Sequence, residues 1–280
     1  MTTNVTLIIP TYRNPTCLDL CLRSATENLV DSNNHILVIV DGYFDESRTA
    51  LAKYPNVRYL ELEHNQGMQA AINLGVMQAE TEYVFVINDD NVMPAEWDTR
   101  LVTEINRMSI HSDERGRGRW CLTVDQVEPT GPSMFEFTIH DLGHTTETFQ
   151  YDEWLRYERH IAEGSGHTDD TGHIFPFVIA KRYYLAVGGL DTFYGSPNVC
   201  DWDFFLKLEL LGFAFPRTRA LRLYHFGSVA TKKNAESATF KAREANAFAE
   251  YQFKWGVPPH NVPRTNSKLP PTKLFRGFSV

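Results

Sequence analysis

Over its first ninety residues the chain alternates short apolar runs with amphipathic stretches, and each apolar run stops in a polar cluster. Val5–Ile9 is β-branched, stops at Pro10 and is followed by Thr11-Tyr12-Arg13-Asn14. Asn14-Pro15 reads as an N-cap with proline in the first helical turn, and Leu18, Cys21, Leu22, Ala25 and Leu29 follow at helical spacing. A second run, Ile36–Val40, ends at Asp41-Gly42; a third, Val57–Leu62, ends near His64-Asn65. A helix over about 68–79 precedes a fourth run, Tyr83–Ile87, which ends in Asn88-Asp89-Asp90-Asn91. Strands alternating with helices imply an α/β protein with a mostly parallel sheet, built from right-handed crossovers. Ligands of such sheets bind beyond the carboxyl ends of the strands, where these four polar clusters converge.

The later chain is less regular. Trp120–Val124 reads as a further strand after the basic connector Arg115–Arg119. Residues 128–172 mix glycine, threonine and acids with scattered histidines at no metal-binding spacing. They read as a surface loop, with a mobile lid or acceptor-recognition insert as the alternative. Order is expected again at Ile174–Ala180, in a helix from Asp201 to Leu211 closed by Gly212, and in a short strand at Arg222–Phe226. Asn234 reads as the cap of a long helix to about Trp255, which Gly256 and Pro258-Pro259 end before a basic, proline-rich tail.

At 280 residues the chain can bury a substantial core without staples. Its four cysteines are sparse and irregular, which fits a reduced, cytoplasmic setting. The apolar run near the start is too short for a signal peptide or a membrane span. Net charge is −8, but from Ala230 onward nine basic residues face three acids, leaving +6 there and −14 elsewhere. Such a basic end suits either a solvated tail against an acidic body or peripheral contact with an anionic surface.

Adjacent carboxylates at a strand end repel unless a cation sits between them, and hard oxygen ligands suit Mg²⁺ or Mn²⁺ shared with a phosphate. Asn and Asp also make turns, so Asn88–Asn91 alone leaves both readings open. The surrounding run, NQGMQAAINLGVMQAETEYVFVINDDNVMPAEW (65–97), resembles the family-2 glycosyltransferases of GT-A fold. Their N-x-G, A-x-N-x-G, apolar strand, D-x-D-like element and proline appear here without a gap. These are Asn65 and Gly67, then Ala71, Asn73 and Gly75, then Tyr83–Ile87, Asn88–Asp90 and Pro94. Val5–Tyr12 is similar to the family's first strand and nucleotide-binding turn, and Asp41-Gly42 to its second strand end. Gly188-Gly189-Leu190-Asp191 resembles its acceptor-side element, Cys200–Phe213 the segment carrying the catalytic base, and Leu223–Ser228 a strand-end histidine. Three positions depart from the pattern: Val40 and Asn88 replace aspartates, and Cys200 replaces a glutamate.

The resemblance implies a GT-A, Rossmann-like fold: a mostly parallel central sheet flanked by helices, with a helical C-terminal extension. Residues 1–125 would form the nucleotide-sugar half, 126–230 the acceptor and catalytic half, and 231–280 a helix with a basic tail. It implies a nucleoside-diphosphate sugar donor near Pro10, Thr11, Tyr12, Arg13, Asp41, Asn65, Gly67, Ala71, Asn88 and Asp89. Asp90 and His225 would hold Mn²⁺ or Mg²⁺, and Asp201, with Asp203 as competitor, would be the base. The acceptor is expected to be a hydroxyl of a surface or lipid-linked glycan. A modified DNA base or a protein is the second reading, and a nucleotidyltransferase or inactive sugar-nucleotide-binding module the third.

Overall fold

A computed structural model describes residues 3–111, 118–131, 138–162, 172, 174–195, 197–227 and 238–257. In chain order its elements begin with β1 (Val5–Thr11), α1 (Pro15–Glu27), β2 (His35–Asp41), α2 (Phe44–Leu51), β3 (Arg58–Leu62), α3 (Met68–Gln78) and β4 (Tyr83–Val86). They continue with β5 (Asn91–Val92), α4 (Trp97–His111), β6 (Leu122–Glu128), β7 (Thr138–Ile139), α5 (Tyr151–Ala162), β8 (Phe177–Ala180), α6 (Lys181–Ala186), α7 (Pro197–Leu210), β9 (Arg217–His225) and α8 (Ala238–Trp255). One sheet runs β3-β2-β1-β4-β8-β6-β9-β5, with β7 beside β6. Strands β3, β2, β1 and β4 are mutually parallel; β8 is antiparallel to both β4 and β6. β9 then runs parallel to β6 and antiparallel to β5. Because β6 spans residue 125, the sheet continues across the expected boundary between the two halves.

Successive side chains of a strand face opposite sides, and β1 shows the consequence. Val5, Leu7 and Ile9 pack with α1 and α4 around Phe85 and Trp97, whereas Ile8 packs with α3, α7 and α8. Both layers are buried, which is why the central strands read as continuous apolar runs. Gly75 permits the contact of α3 with the sheet: a Cβ there would lie 2.6 Å from Ile8 Cγ2. Truncating fully buried Trp97 to alanine would cost about 3–5 kcal/mol.

Several local expectations are corrected. Pro10 does not end β1 but pairs with Ile39 inside it. β4 has stopped by Val86, opposite Ile8, so Pro10 has a strand on one side only, the edge condition under which strands tolerate proline. Asn14 occupies the α1 N-cap position without capping it through its side chain. α7 begins at Pro197, so Asp201 and Asp203 lie within the helix and not at its start. β9 begins at Arg217, five residues before the expected strand. Most of all, 128–172 is not simply loop. It contains α5, whose Trp154 is fully buried and whose Glu158 takes a bidentate pair from Arg100 at 2.8 and 2.9 Å. The expected Asn234 cap, most of the 115–119 connector and the basic tail lie outside the described residues.

Candidate donor and metal site

The ends of β1, β4, β6 and β9 come together on one face, and the side chains there have unequal duties. Asp89 is held by the protein: Thr11 Oγ1 donates to its Oδ2 at 2.7 Å and Asn14 Nδ2 to its Oδ1 at 3.0 Å. Burial, with the neighbouring Asp90 charge second, pushes the Asp89 carboxyl up to about 7. Both its oxygens are occupied by neutral donors, so Asp89 ties the β1 end to the β4 end. Asn14, absent from the expected site residues, completes that tie.

Asp90 and His225 meet although 135 positions separate them, because β5, directly after Asp90, pairs with β9 through Asn91 and His225. His225 Nε2 lies 3.5 Å from Asp90 Oδ1. That nitrogen is buried and has no hydrogen-bond partner, while Nδ1 sits 2.8 Å from Glu128 Oε1. Burial lowers the affinity of the ring for a proton, but Asp90 and Glu128 outweigh it and raise the pKa to about 10. The two carboxylates thus favour the protonated ring, and a metal ion at Nε2 would have to take that proton's place.

A buried, unsatisfied imidazole nitrogen facing a carboxylate oxygen is a donor set that Mn²⁺ or Mg²⁺ would fit, with open positions left for phosphate oxygens. Among the described residues no group of three or more His, Cys, Asp or Glu side chains encloses a metal position. Asp90 and His225 would leave positions on such an ion open to other ligands. Glu128 fixes the ring and its tautomer, the usual outer partner of a metal-bound histidine. Glu128 is not among the expected site residues; its place at the end of β6, beside the β9 strand end, brings it to the ring.

The remaining expected donor residues fall into three groups. Tyr12 and Arg13 stay at the strand-end surface: Tyr12 packs edge-on to Tyr43 at 5.7 Å, and Arg13 lies over the Tyr43 ring at 4.6 Å while pairing with Glu46. Asp41, Asn65 and Gly67 form a closed turn. Asp41 accepts from the Gln66 and Gly67 amides at 2.6 and 2.9 Å and from Asn65 Nδ2 at 2.8 Å. Gly42, at φ 76°, allows that approach, since a Cβ would lie 2.8 Å from the Asn65 nitrogen. Pro10 is a buried strand residue, and Ala71 packs in the core with Leu37 and Ile39. Asn88 is half-buried, its amide donating to Asn91 Oδ1 at 2.9 Å. Val40, where an aspartate was expected, is buried in the core.

On α7 the two aspartates differ sharply. Asp203 is fully buried and accepts from Tyr194 Oη at 3.0 Å and Trp255 Nε1 at 2.8 Å, with Lys207 and Lys254 ammoniums at 3.1 and 2.6 Å. Asp201 is half-buried, with Oδ1 accepting the Trp202 amide at 2.8 Å. Tyr194 fixes which end of the sheet they occupy. Its carbonyl accepts from Gln69 Nε2 at 3.0 Å, and Gln69 belongs to the first turn of α3, on the strand-end side.

Residues 6–125 match the family model described as glycosyl transferase family 2. In fold the chain is similar to residues 1–349 of S. aureus TarS (TM-score 0.54, 11% identity, 92% of this chain and 74% of that one). It is similar to the mannosyltransferase PcManGT from Pyrobaculum calidifontis in complex with GDP-Man and Mn²⁺ (TM-score 0.56, 14% identity, 91% and 66%). It also matches GalNAc-T7 with UDP, GalNAc and Mn²⁺ (TM-score 0.55, 12% identity, 80% and 44%). No curated protein matches it. The chain thus matches the family-2 glycosyltransferase model over residues 6–125 and shares its fold with these solved structures. Among the described residues no helix is long and apolar enough to cross a membrane.

Proposed function

We propose that this chain transfers a sugar from a nucleoside-diphosphate sugar to an acceptor hydroxyl with inversion, using Mn²⁺ or Mg²⁺. The observation that carries the reading is the pair Asp90 and His225, drawn from distant strands to 3.5 Å with Nε2 buried and lacking a hydrogen-bond partner. Two of the similar structures, PcManGT and GalNAc-T7, hold a nucleotide with Mn²⁺, which supports the same assignment.

Breaking the bond between sugar and diphosphate leaves negative charge on the departing nucleoside diphosphate. When bound, the cation would neutralise that developing charge. Asp90 and His225 hold the position for it, Glu128 keeps the imidazole aimed, and Asp89 fixes the loop that presents Asp90. Tyr12, Arg13 and Tyr43 offer ring faces and a cation at the strand-end surface, suited to a nucleotide base. Asp201 takes the proton of the acceptor hydroxyl as that oxygen attacks the anomeric carbon. Asp203 is the weaker candidate: it is fully buried, Tyr194, Trp255 and Lys254 converge on its Oδ1, and the Lys207 ammonium stands 3.1 Å from its Oδ2. A single base with attack opposite the leaving group inverts the anomeric centre.

The deciding experiment is a panel of UDP- and GDP-sugars with Mn²⁺, read as thermal shift and as nucleoside diphosphate release. A metal-dependent shift with at least one nucleotide is expected. Silence across the panel, with and without metal, would overturn the reading.

A further inference from the structure

Between α6 and α7 runs the loop Gly188–Gly195, which carries the Gly-Gly-Leu-Asp element. Gly188 and Gly189 have positive φ, and a Cβ on Gly189 would lie 2.4 Å from Asn73 Oδ1. Three helices hold the loop. From α3, Asn73 brackets Leu190, donating to its carbonyl at 2.8 Å and accepting its amide at 2.9 Å. From α7, Lys207 donates to the Gly189 carbonyl at 2.6 Å, and Asp203 accepts from Tyr194. From α8, Lys254 donates to Asp191 Oδ2 at 2.6 Å.

Lys254 does more than touch the loop. Its ammonium is also 2.6 Å from Asp203 Oδ1 and lies near the Tyr194 and Trp255 rings, 5.6 and 5.3 Å from their centroids. One cation thus bridges a carboxylate of the loop and a buried carboxylate of α7, two residues from Asp201. Burial opposes its charge, but Asp191 and Asp203 outweigh burial and raise its pKa, so it stays protonated. The bonds holding Asp89 and the His225 ring come from elsewhere, from Thr11, Asn14 and Glu128.

We infer that Lys254 is a positioning residue through which the C-terminal helix clamps the Gly188–Gly195 loop onto the α7 segment carrying Asp201. The clamp acts on the hydroxyl-activating side of the transfer reading, on which this inference rests, and leaves the nucleotide side alone. Asn73 and Lys207 hold main-chain atoms at the start of the loop. Asp191 is the side chain that commits the loop to α8.

The test uses the full chain with Lys254→Met, Lys254→Arg and Asp191→Asn. Three readouts are taken: hydrogen exchange at 188–195 against 84–91, Mn²⁺-dependent binding of UDP and GDP, and nucleoside diphosphate release from UDP- and GDP-sugars. Lys254→Met should raise exchange at 188–195 at least tenfold and spare 84–91. It should keep nucleotide Kd within about twofold and slow release at least tenfold, and Lys254→Arg should recover most of both losses. Unchanged exchange in Lys254→Met, or a loss of nucleotide affinity matching the loss of rate, would overturn the clamp. If Lys254→Met does not fold, Asp191→Asn removes only the loop half of the bridge and must show the same split. A wild-type chain that binds and turns over no nucleotide sinks the transferase reading, while the exchange comparison still decides the clamp.

Discussion

Asp89-Asp90 at the end of β4 and Asp201/Asp203 on α7 are two aspartate pairs, and each gives one member to the scaffold. The scaffolding members differ in how their charge is met. Asp89 receives side-chain hydrogen bonds from the neutral Thr11 and Asn14, and its carboxyl is pushed up to about 7. Asp203 sits between the ammoniums of Lys207 and Lys254 as well as two neutral donors. A buried carboxylate that merely joins helices needs its charge answered at once. The difference teaches that two buried carboxylates can both tie elements together with opposite charge balance, Asp89 through neutral donors and Asp203 through ammoniums.

Exchanging roles within each pair is the way to break this comparison. Asp201→Asn should keep Mn²⁺-dependent nucleotide binding but lower transfer by about 10²–10⁴-fold, the usual worth of a general base. If Asp203→Asn does that and Asp201→Asn does not, the division on α7 is reversed. Asp203→Ala should instead unfold earlier in urea, losing about 3–5 kcal/mol, because it strands buried charge and breaks the tie to α8. In the other pair, Asp90→Ala should weaken metal-dependent nucleotide binding by roughly 100-fold, a loss that calorimetry with and without Mn²⁺ would measure. Glu128→Gln sharpens the comparison by loosening the histidine alone. Metal affinity should fall by about 10–100-fold with little change in stability. The smallest effect is expected for Thr11→Val, about 1–2 kcal/mol of stability from an orphaned acceptor on Asp89, read by denaturant titration.

What the sequence showed depended on how local the signal was. The β1–α1–β2 and α3–β4 units were legible because doubly covered strands make plain apolar runs and polar residues mark their ends. Asp90 could be singled out for the same reason. The helix α5 could not: its inward face uses Glu158, a charge whose partner Arg100 lies on another helix, so the apolar stripe is interrupted where it is most buried. Glu128 was illegible because its meaning comes from β6 lying beside β9, a pairing across almost a hundred residues. Ala71 and Val40 show the converse. Both lie in core clusters, a packing environment that the aligned motif did not disclose.

The insertion of β9 between β6 and β5 also fixes when the molecule becomes competent during its own synthesis. Asp90 leaves the ribosome 135 residues before His225, and the matched segment 6–125 contains one of the pair without the other. A nascent chain that has made only its first four strands still lacks Leu122, Val178, Phe204 and Leu223 of the core, and on the proposed reading it also lacks the imidazole of the cation site. On the proposed reading ligand capture waits for β9, the last strand among the described residues, so an unfinished chain would not sequester metal or nucleotide.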